Sequence, residues 1–553
     1  MENLNAKTSV ESCQAKHPVS GIAICDRAIW DAESNLCIFH CKQKPIDKFT
    51  EHFLSELNEL NRQKGAGNFN GRRFVFPQGI KLEMIHFSKA ASFEDAYFGD
   101  NFSFEYWEFD EIARFNRAQF GSKVNFSDAR FKKVVVFTGT EFGEKVYFGK
   151  AVFEGEAHFN GAKFNDNASF FKANFKDIVS FERAEFGNNS FWAETHFEKG
   201  GYFFKTQFQD KTSFASAKFS SIAYFSEARF GNQSSFEATA FQSEAYFIKT
   251  EFGDQTNLKG TRFKKRASFS DTRFGHNTEF HESQFSDQTY FENTHFETES
   301  NFKYVDFESK LHFTNVTSNG QIKFTDVNLR YPQNVLFSRL NLGSILLART
   351  NVQEVSFMEC DWPKLQKRCA IQDEIQLREG KENAASPEEI EQLYRRLQTN
   401  FENNRRYGEA GDFYIGVMEM RRKQLAEKTK RKSLRWLRQN VFSLIAWYRH
   451  VSLYGERYAR CLYWILGMIL LFPALYLLAG FEDIKYVISH QYDARFFIDY
   501  FKALNISFHA MTFQREESFQ LTVWSQICYI VESILSATLV ALFLLAVRRR
   551  FRR

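Results

Sequence analysis

A large apolar side chain, nearly always phenylalanine, recurs every eleven residues through the middle of the chain. The positions of this first series are Phe93, Phe104, Phe115, Phe126, Phe137, Phe148, Phe159, Phe170, Phe181, Trp192, Phe203, Phe214, Phe225, Phe236, Phe247, Leu258, Phe269, Phe280, Phe291, Phe302, Phe313 and Phe324. A second series follows five residues later, from Phe98 and Phe109 to Phe296 and Phe307. The chain of 553 residues contains 66 phenylalanines, and a bias of this size indicates a repeated structural unit.

A right-handed supercoil of α-helices also has an eleven-residue period. On a helix, however, a step of five residues turns the side chain by about 140°, so the two series would point in different directions. Glycine follows several phenylalanines, as in Phe98-Gly99 and Phe142-Gly143, and regular glycine disfavours a helix. Extended segments with a corner every five or six residues explain the pattern better, because each face then directs one aromatic and one small side chain, such as Ala96, inward. We therefore predict that the phenylalanines form the core and that none is a functional site.

The spacing becomes strictly five after the last eleven-residue unit. The positions of this run are Phe337, Leu342, Leu347, Val352, Phe357 and Trp362. The run resembles the pentapeptide-repeat family, and the eleven-residue units resemble a phenylalanine-rich variant with one extra corner residue per two faces. The resemblance covers Gly79 to Trp362 and implies a mainly β fold, a right-handed quadrilateral β-helix with four pentapeptides per coil. The interval from Phe93 to Phe324 then predicts about ten to eleven coils, on the order of 50 Å of stacked strands, and both ends need caps.

The composition predicts five regions along the chain. These are a cap at 1–78, the β-helix at 79–362, a helical hairpin connector at 363–432, an interfacial amphipathic helix at 433–460, and a two-span transmembrane module at 461–553. Within the connector, Ser386, Pro387 and Glu389 stand where an N-cap, an N1 proline and a capping-box glutamate begin a helix. Gly408 is predicted to separate this helix from a second one.

The N-terminal segment combines cysteine and histidine at spacings that suit zinc. It lacks an apolar signal sequence, so we expect a cytoplasmic, reducing environment in which cysteines stay free. Cys37 and His40 are three residues apart, close enough to share one tetrahedral ion, and Cys25 and Cys13 complete a candidate set of four ligands. Similar cysteine-rich N-termini precede the repeats in some members of the resembled family. The alternative is a cap with a few reduced, half-buried cysteines and no metal.

Two apolar stretches near the C-terminus, 462–481 and 523–547, are long enough to cross a membrane. Positive charges precede the first and follow the second, which predicts a multi-pass protein of the inner (cytoplasmic) membrane with both termini in the cytoplasm. A basic approach to the first span predicts contact with anionic lipid rather than with nucleic acid, because it adjoins the span. Its residues are Arg421, Arg422, Lys423, Lys430, Arg431, Lys432, Arg435 and Arg438.

The segment between the spans contains an apolar stretch, 496–513, that predicts a re-entrant or interfacial helix. Two spans around such a helix resemble the pore module of two-span potassium channels. The Thr-Val-Gly-Tyr-Gly filter is missing, so potassium selection by backbone carbonyls is not supported. The pore and loop candidates are Thr512, Gln514, Glu516, Glu517 and Glu532. Glu532 lies inside a span, where it would line a pore, join helices or reach solvent near the interface.

The sequence contains no nucleophile–base motif, phosphate loop or dinucleotide turn, and we predict that the protein is not an enzyme. The first hypothesis is a homo-oligomer, such as a tetramer, whose cytoplasmic solenoid binds a protein or ligand partner and controls a channel-like module. The second is a membrane-anchored scaffold without a pore. A third, mimicry of duplex DNA to modulate a topoisomerase, requires a strongly acidic rod, whereas the repeats carry nearly balanced charge and the chain is +5 overall.

Overall fold

A computed structural model describes residues 12–16, 21, 23, 25–63, 65, 67–427, 441, 443–480, 494–514 and 521–551. The chain divides into two compact units, Met1–Pro363 and Lys364–Arg553. The first unit is a β-solenoid of about 13 turns, and the second is helical. The predicted fold class is therefore confirmed.

Four faces, named A, B, D and C in the order the chain meets them, enclose the core of the solenoid. Each strand pairs in parallel with the strand one coil further on, so that Phe98 lies beside Phe120 and Phe109 beside Phe131, a step of 22 residues. The first phenylalanine series alternates between the opposite faces A and D, and the second alternates between B and C. The split of each unit into five and six residues thus produces the quadrilateral coil.

The strands are two to four residues long and are grouped by face. Face A contains Asn68–Asn70, Ala90–Ser92, Ala113–Arg114, Val135–Val136, Ala157–His158, Val179–Ser180, Gly201–Tyr202, Ala223–Tyr224, Ala245–Tyr246, Ala267–Ser268, Thr289–Glu292, Leu311–Thr314, Val335–Ser338 and Ser356–Met358. Face B contains Val75–Phe76, Tyr97–Phe98, Gln119–Phe120, Glu141–Phe142, Lys163–Phe164, Glu185–Phe186, Gln207–Phe208, Arg229–Phe230, Glu251–Phe252, Arg273–Phe274, His295–Phe296 and Thr317–Ser318. Face C contains His86–Phe87, Glu108–Phe109, Arg130–Phe131, Val152–Phe153, Asn174–Phe175, His196–Phe197, Lys218–Phe219, Ala240–Phe241, Arg262–Phe263, Gln284–Phe285, Asp306–Phe307 and Asn328–Leu329. Face D is joined by single bridges from Ser103 to Glu279 and by the strands Thr278–Glu279, Ser300–Asn301, Ile322–Lys323 and Ile345–Leu346.

The solenoid is longer than the predicted ten to eleven coils. Its first strand, Asn68–Asn70, lies inside the region predicted as the cap, because the coils begin before the regular phenylalanine spacing does. At the other end the coil length changes: Leu311 pairs with Val335, a step of 24, and Phe337 pairs with Phe357, a step of 20. The last coils thus have the five-residue faces that the spacing from Phe337 predicts.

The core consists of stacked aromatic columns. Every residue of the first series is fully buried. Rings one coil apart are nearly parallel, with centroids 4.6 Å apart for Phe98 and Phe120 and 4.3 Å for Phe104 and Phe126. Rings on different faces meet edge to face, as Phe126 and Phe137 do at 5.7 Å and 87°. Both geometries are favourable for aromatic pairs, so the prediction that these side chains are core is confirmed.

The corners require backbone conformations that could not be predicted from the sequence. The second residue after each first-series position is left-handed, with φ of 57° at Asp95 and 59° at Tyr106. This conformation closes a tight turn in which the Ala96 amide donates to the Phe93 carbonyl over 3.1 Å. Gly121 is needed for another reason: a Cβ there would lie 2.7 Å from the Asp100 backbone nitrogen in the coil below. Stacking of the corners therefore demands glycine at this position although its φ is ordinary.

The N-terminal end of the solenoid is covered by helix α1, Ile46–Arg62. Its buried face presents Phe49 and Phe53 to the first coil, where Phe53 lies 5.4 Å from Phe69 and 5.7 Å from Phe76 between ring centroids. A helix over the exposed end prevents pairing with another sheet edge. The helix that covers this end lies between the cysteines and the first strand.

The second unit contains a short antiparallel pair, Lys364–Leu365 and Arg368–Cys369, and, within its described residues, seven helices. The helices are α2 Gln372–Glu379, α3 Pro387–Asn403, α4 Tyr407–Glu427, α5 Leu444–Ser452, α6 Tyr458–Ala479, α7 Ala494–Thr512 and α8 Val523–Phe551. The capping box at the start of α3 is formed as predicted. The predicted break at Gly408 is wrong, because the turn lies at residues 404–406 and Gly408 is in the first turn of α4.

The helices α6 and α8 are long and apolar enough to cross a membrane. Helix α7 lies between them along the chain, as predicted, and packs against both. Within the region predicted as an interfacial helix, 433–460, the described residues contain α5, which has nine residues and ends at Ser452 before a turn that leads into α6. Residues 433–440 of that prediction lie outside the described residues.

Candidate metal centre and the buried carboxylates of the helical unit

Four predicted zinc ligands, separated by up to 27 positions in the chain, come together in the N-terminal cap. The donor atoms of Cys13, Cys25, Cys37 and His40 all lie within 4.8 Å of one another. The sulfurs of Cys25 and Cys37 are 3.7 Å apart, and Nδ1 of His40 is 3.1 Å from the sulfur of Cys37 and 3.5 Å from that of Cys13. All four residues are at least 93% buried. The cluster is therefore a closed set of three sulfurs and one imidazole nitrogen.

The groups around the cluster fit a metal ion. Nε2 of His40 donates to the Arg72 carbonyl over 2.9 Å, which leaves the Nδ1 lone pair directed at the sulfurs. The Cys37 amide donates to the Cys13 sulfur over 3.3 Å. Four protein ligands with no open position are typical of structural rather than catalytic zinc. When bound, zinc would link the segments carrying Cys13, Cys25 and the Cys37–His40 turn.

A partly exposed arginine, Arg27, lies beside these sulfurs. The guanidinium of Arg27 lies 3.6 Å from the Cys25 sulfur and forms a bidentate ion pair with Glu56, each contact 2.7 Å. Hydrogen bonding from Cys37 lowers the pKa of the Cys25 thiol to about 3, against the effect of burial, and the same contact raises that of Cys37. The two sulfurs are therefore close enough to share a proton.

A second group, His86, Glu108 and Asp110, also lies close together on the surface of the solenoid. The Lys132 ammonium contacts Glu108 at 2.6 Å and Asp110 at 2.9 Å, and His86 contacts Asp110 at 2.8 Å. A lysine already fills the position that a cation would take. This group is an ion-pair network.

Glu532, the carboxyl within the apolar helix α8, is fully buried, and its hydrogen-bond partners belong to the same chain. One of its oxygens accepts from the Tyr476 hydroxyl on α6 over 2.7 Å, and the other accepts from the Ser507 hydroxyl on α7. Glu532 itself belongs to α8, so three helices meet at one carboxyl. Of the three predicted roles, the contacts correspond to the joining of helices. Ser507 and Tyr476 could not be predicted as hydrogen-bond partners of Glu532, because neither residue has a regular spacing from it in the sequence.

Two of the remaining pore candidates, Thr512 and Gln514, lie at the end of α7. Thr512 is its last residue, and its hydroxyl donates to the Phe508 carbonyl over 3.0 Å. Gln514 is exposed, and its carbonyl accepts from the Tyr529 hydroxyl over 2.8 Å. Glu516 and Glu517 lie outside the described residues. The candidates that the structure describes, Thr512 and Gln514, thus have hydrogen-bond partners different from those of Glu532.

The first members of the predicted basic surface belong to α4 and already have partners there. Arg421 contacts Glu391 on α3 at 3.0 Å, and Arg422 contacts Glu419 at 2.8 Å. Lys423 is half-buried, and burial lowers its pKa. The structure therefore assigns Arg421 and Arg422 to the packing of the hairpin. The other members, Lys430, Arg431, Lys432, Arg435 and Arg438, lie outside the described residues.

Sequence reasoning missed the centre of this network, Glu419. Its carboxylate accepts from Arg449 over 2.7 Å and from the Tyr454 hydroxyl over 2.9 Å, in addition to Arg422. Burial acts to raise the pKa of Glu419, but the two arginines outweigh it, and the pKa lies below its ordinary value. Glu419 therefore joins the connector helix α4 to α5 and to the turn before α6.

Comparison with known proteins supports the repeat and gives no relative for the whole chain. A family model described as pentapeptide repeats (9 copies) matches residues 115–163. No curated protein and no solved structure matches the chain. The match and the solenoid together support a pentapeptide-repeat protein, which is a structural or interaction fold and not typically catalytic. The two apolar helices are compatible with a membrane module.

Proposed function

We propose that the protein is a membrane-anchored scaffold, which presents its solenoid to a protein partner from a two-span helical anchor. The observation that carries this proposal is the state of Glu532. An ionisable residue inside a span usually faces water or a bundle interior, and in this chain Tyr476 and Ser507 occupy both of its oxygens. The carboxyl then closes a three-helix unit and needs no aqueous path. No catalytic step is assigned to the protein.

The surface of the solenoid supports a protein partner better than a nucleic acid or a mimic of one. Charges on adjacent coils neutralise each other, as Arg117 and Asp95 do at 2.8 Å and Lys199 and Asp177 at 2.8 Å. Such pairs reduce the net charge of these coils. The DNA-mimic hypothesis therefore receives no support from the surface.

The proposed location is the cytoplasmic membrane, with both termini and the solenoid on the cytoplasmic side. Arg457 precedes α6, and Arg548 and Arg549 lie near the end of α8, so the positive charges are at the same end of the two helices. This is the distribution expected for the cytoplasmic face. Zinc in the N-terminal cap is the proposed cofactor, in a structural role.

A second candidate is the oligomeric channel-like module, with the solenoid as its controlling domain. It is favoured by the wide apolar surface of the spans, where Leu470, Leu478 and Ile534 are mostly exposed. Such a surface suits either lipid or further copies of the chain. The helix α7 between the spans is the other feature shared with pore modules.

The experiment uses the full-length protein in membranes and in planar bilayers. A scaffold is expected to resist extraction with alkaline carbonate, to expose the solenoid to protease only in inverted vesicles, and to conduct no ions. Release by carbonate would refute the anchor. A conductance that changes when Glu532→Gln is introduced would favour the channel, because that variant keeps the hydrogen-bonding size of the side chain and removes its charge.

A further inference from the structure

A polar cavity of about 1020 Å³ lies in the helical unit, where the connector meets the ends of both apolar helices. Its wall includes Arg405 and Asp412 of the α3–α4 hairpin, Glu456 and Arg457 of the turn before α6, and Arg549 of α8. Tyr458, the first residue of α6, also lines it. The cavity thus joins the cytoplasmic connector to the start of one proposed span and the end of the other.

One arginine of the cavity is held in place by the protein itself. The Arg549 guanidinium donates to the Tyr454 carbonyl over 3.1 Å, lies 3.4 Å from Glu456, and covers the Tyr414 ring at 4.9 Å. These contacts orient it against the wall. Arg549 therefore acts as a fixed positive charge at one side of the cavity.

Two other arginines of the wall lack ion pairs of this kind among the described residues. Arg405 and Arg457 are exposed, and within the part of the chain that the structure describes no carboxylate lies within 4 Å of either guanidinium. The wall contains three arginines but only two acidic residues, Asp412 and Glu456, so the acidic residues do not neutralise the arginines. Burial raises the pKa of Glu456 despite the opposing effect of Arg549. The cavity has an excess of positive charge with two guanidiniums available.

In the proposed membrane orientation, the cavity lies at the depth of the lipid headgroups. The neighbouring helix α5 exposes Leu444 and Trp447, with Leu444 89% exposed, and tryptophan prefers the membrane interface. If α6 and α8 cross the membrane, as proposed above, the cavity opens at the depth of the phosphates of the cytoplasmic leaflet. Guanidinium groups bind phosphate oxygens in a bidentate manner more specifically than ammonium groups do.

We infer that this cavity is a binding site for a phosphate group, held by Arg405 and Arg457 against the fixed Arg549. The phosphate belongs to an anionic phospholipid or to a soluble phosphate compound, and both would present the same oxygens to these side chains. Occupancy would link the connector hairpin to the ends of both spans.

The experiment compares full-length wild type with the double variant Arg405→Gln/Arg457→Gln. The control is Arg378→Gln/Arg395→Gln, which removes the same charge from two arginines paired along their own helices. Each protein is purified in neutral detergent, and retained phospholipid is measured by native mass spectrometry. Binding is then measured in nanodiscs of phosphatidylcholine with increasing phosphatidylglycerol. A parallel arm measures thermal stabilisation by inorganic phosphate and pyrophosphate in detergent.

We expect wild type and control to retain phosphatidylglycerol equally, and the double variant to lose at least tenfold of this anionic-lipid retention. Stabilisation by pyrophosphate that is lost in the double variant, with lipid retention unchanged, would assign the site to a soluble phosphate compound. The variant Arg405→Lys/Arg457→Lys keeps the charge and should recover part of the binding, which separates a loss of site from a loss of fold. Equal lipid retention and equal phosphate response in all variants would overturn the proposal. Carbonate release of the wild type would refute the anchor without bearing on the phosphate arm.

Discussion

Replacement of Cys25 by serine tests the candidate metal centre most directly. Zinc–sulfur bonds of about 2.3 Å in a tetrahedron place sulfurs about 3.8 Å apart, and zinc–nitrogen bonds of about 2.0 Å place nitrogen about 3.5 Å from sulfur. The structure has 3.7 Å between Cys25 and Cys37 and 3.5 Å between Cys13 and His40. Of these contacts, the one between Cys37 and His40, at 3.1 Å, must lengthen by about 0.4 Å on the same geometry. The donor atoms of the remaining pairs lie within 4.8 Å of one another. The cap therefore needs little rearrangement to bind zinc.

The assay is metal analysis of the purified full-length protein together with X-ray absorption at the zinc edge. We expect one zinc per chain, bound by three sulfurs at about 2.3 Å and one nitrogen at about 2.0 Å. The Cys25→Ser variant should lose at least tenfold of the zinc affinity, because a hydroxyl does not ionise to replace a thiolate ligand. Protease cleavage of the cap should then precede cleavage of the solenoid.

The matched control is Cys41→Ser. Cys41 is as buried as the four candidate ligands, but its sulfur contacts the backbone carbonyls of Ile38 and Gln43 at 3.8 Å and 3.4 Å rather than the cluster. This variant should retain zinc at the wild-type ratio. Wild-type protein without zinc after purification in zinc-containing buffer, or equal loss from both variants, would refute the geometry-based reasoning.

Three further predictions concern packing and charge. Phe148→Ala should destabilise the central coils by about 3–5 kcal/mol, because the ring is fully buried between the rings of Phe126 at 4.5 Å and Phe170 at 4.8 Å. Local hydrogen exchange measures this change. The control Tyr147→Ala, at a residue that is 38% exposed, should change the stability little. Glu419→Gln should lower the thermal stability of the helical unit at pH 7, since two arginines lose their partner. The pKa of Glu419 is lowered by folding, so its contribution is present above the ordinary carboxyl pKa and disappears as pH falls through the folded value. The difference between Glu419→Gln and wild type should therefore shrink in melts below about pH 4, and a constant difference would contradict the assignment. Glu532→Leu should destabilise the three-helix unit in detergent by about 1–3 kcal/mol, because two hydroxyls lose their acceptor, while Glu532→Gln should lose less.

Several features of the fold could be predicted because they depend only on the spacing of residues that are close in the sequence. The step from Phe98 to Phe109 to Phe120 is regular, so the coil of 22 residues follows from the sequence without knowledge of any distant contact. The capping box at Ser386 and the long apolar stretches are local in the same sense. Where the spacing is irregular, at the first coil around Asn68 and at the 24-residue coil before Val335, prediction of the solenoid length was wrong.

The sequence by itself determined the class of this protein: a phenylalanine-lined solenoid, a helical connector, and two helices able to cross a membrane. It also selected the four residues of the candidate zinc centre, because cysteine and histidine are rare enough to stand out. Only the tertiary structure decided which side chains meet. The approach of Cys13 to His40, the contact of Arg72 behind the imidazole, and the joining of Tyr476, Ser507 and Glu532 depend on how separate segments pack. Packing is set by the shape and burial of whole elements, and contacts between residues with no fixed separation leave no period in the sequence.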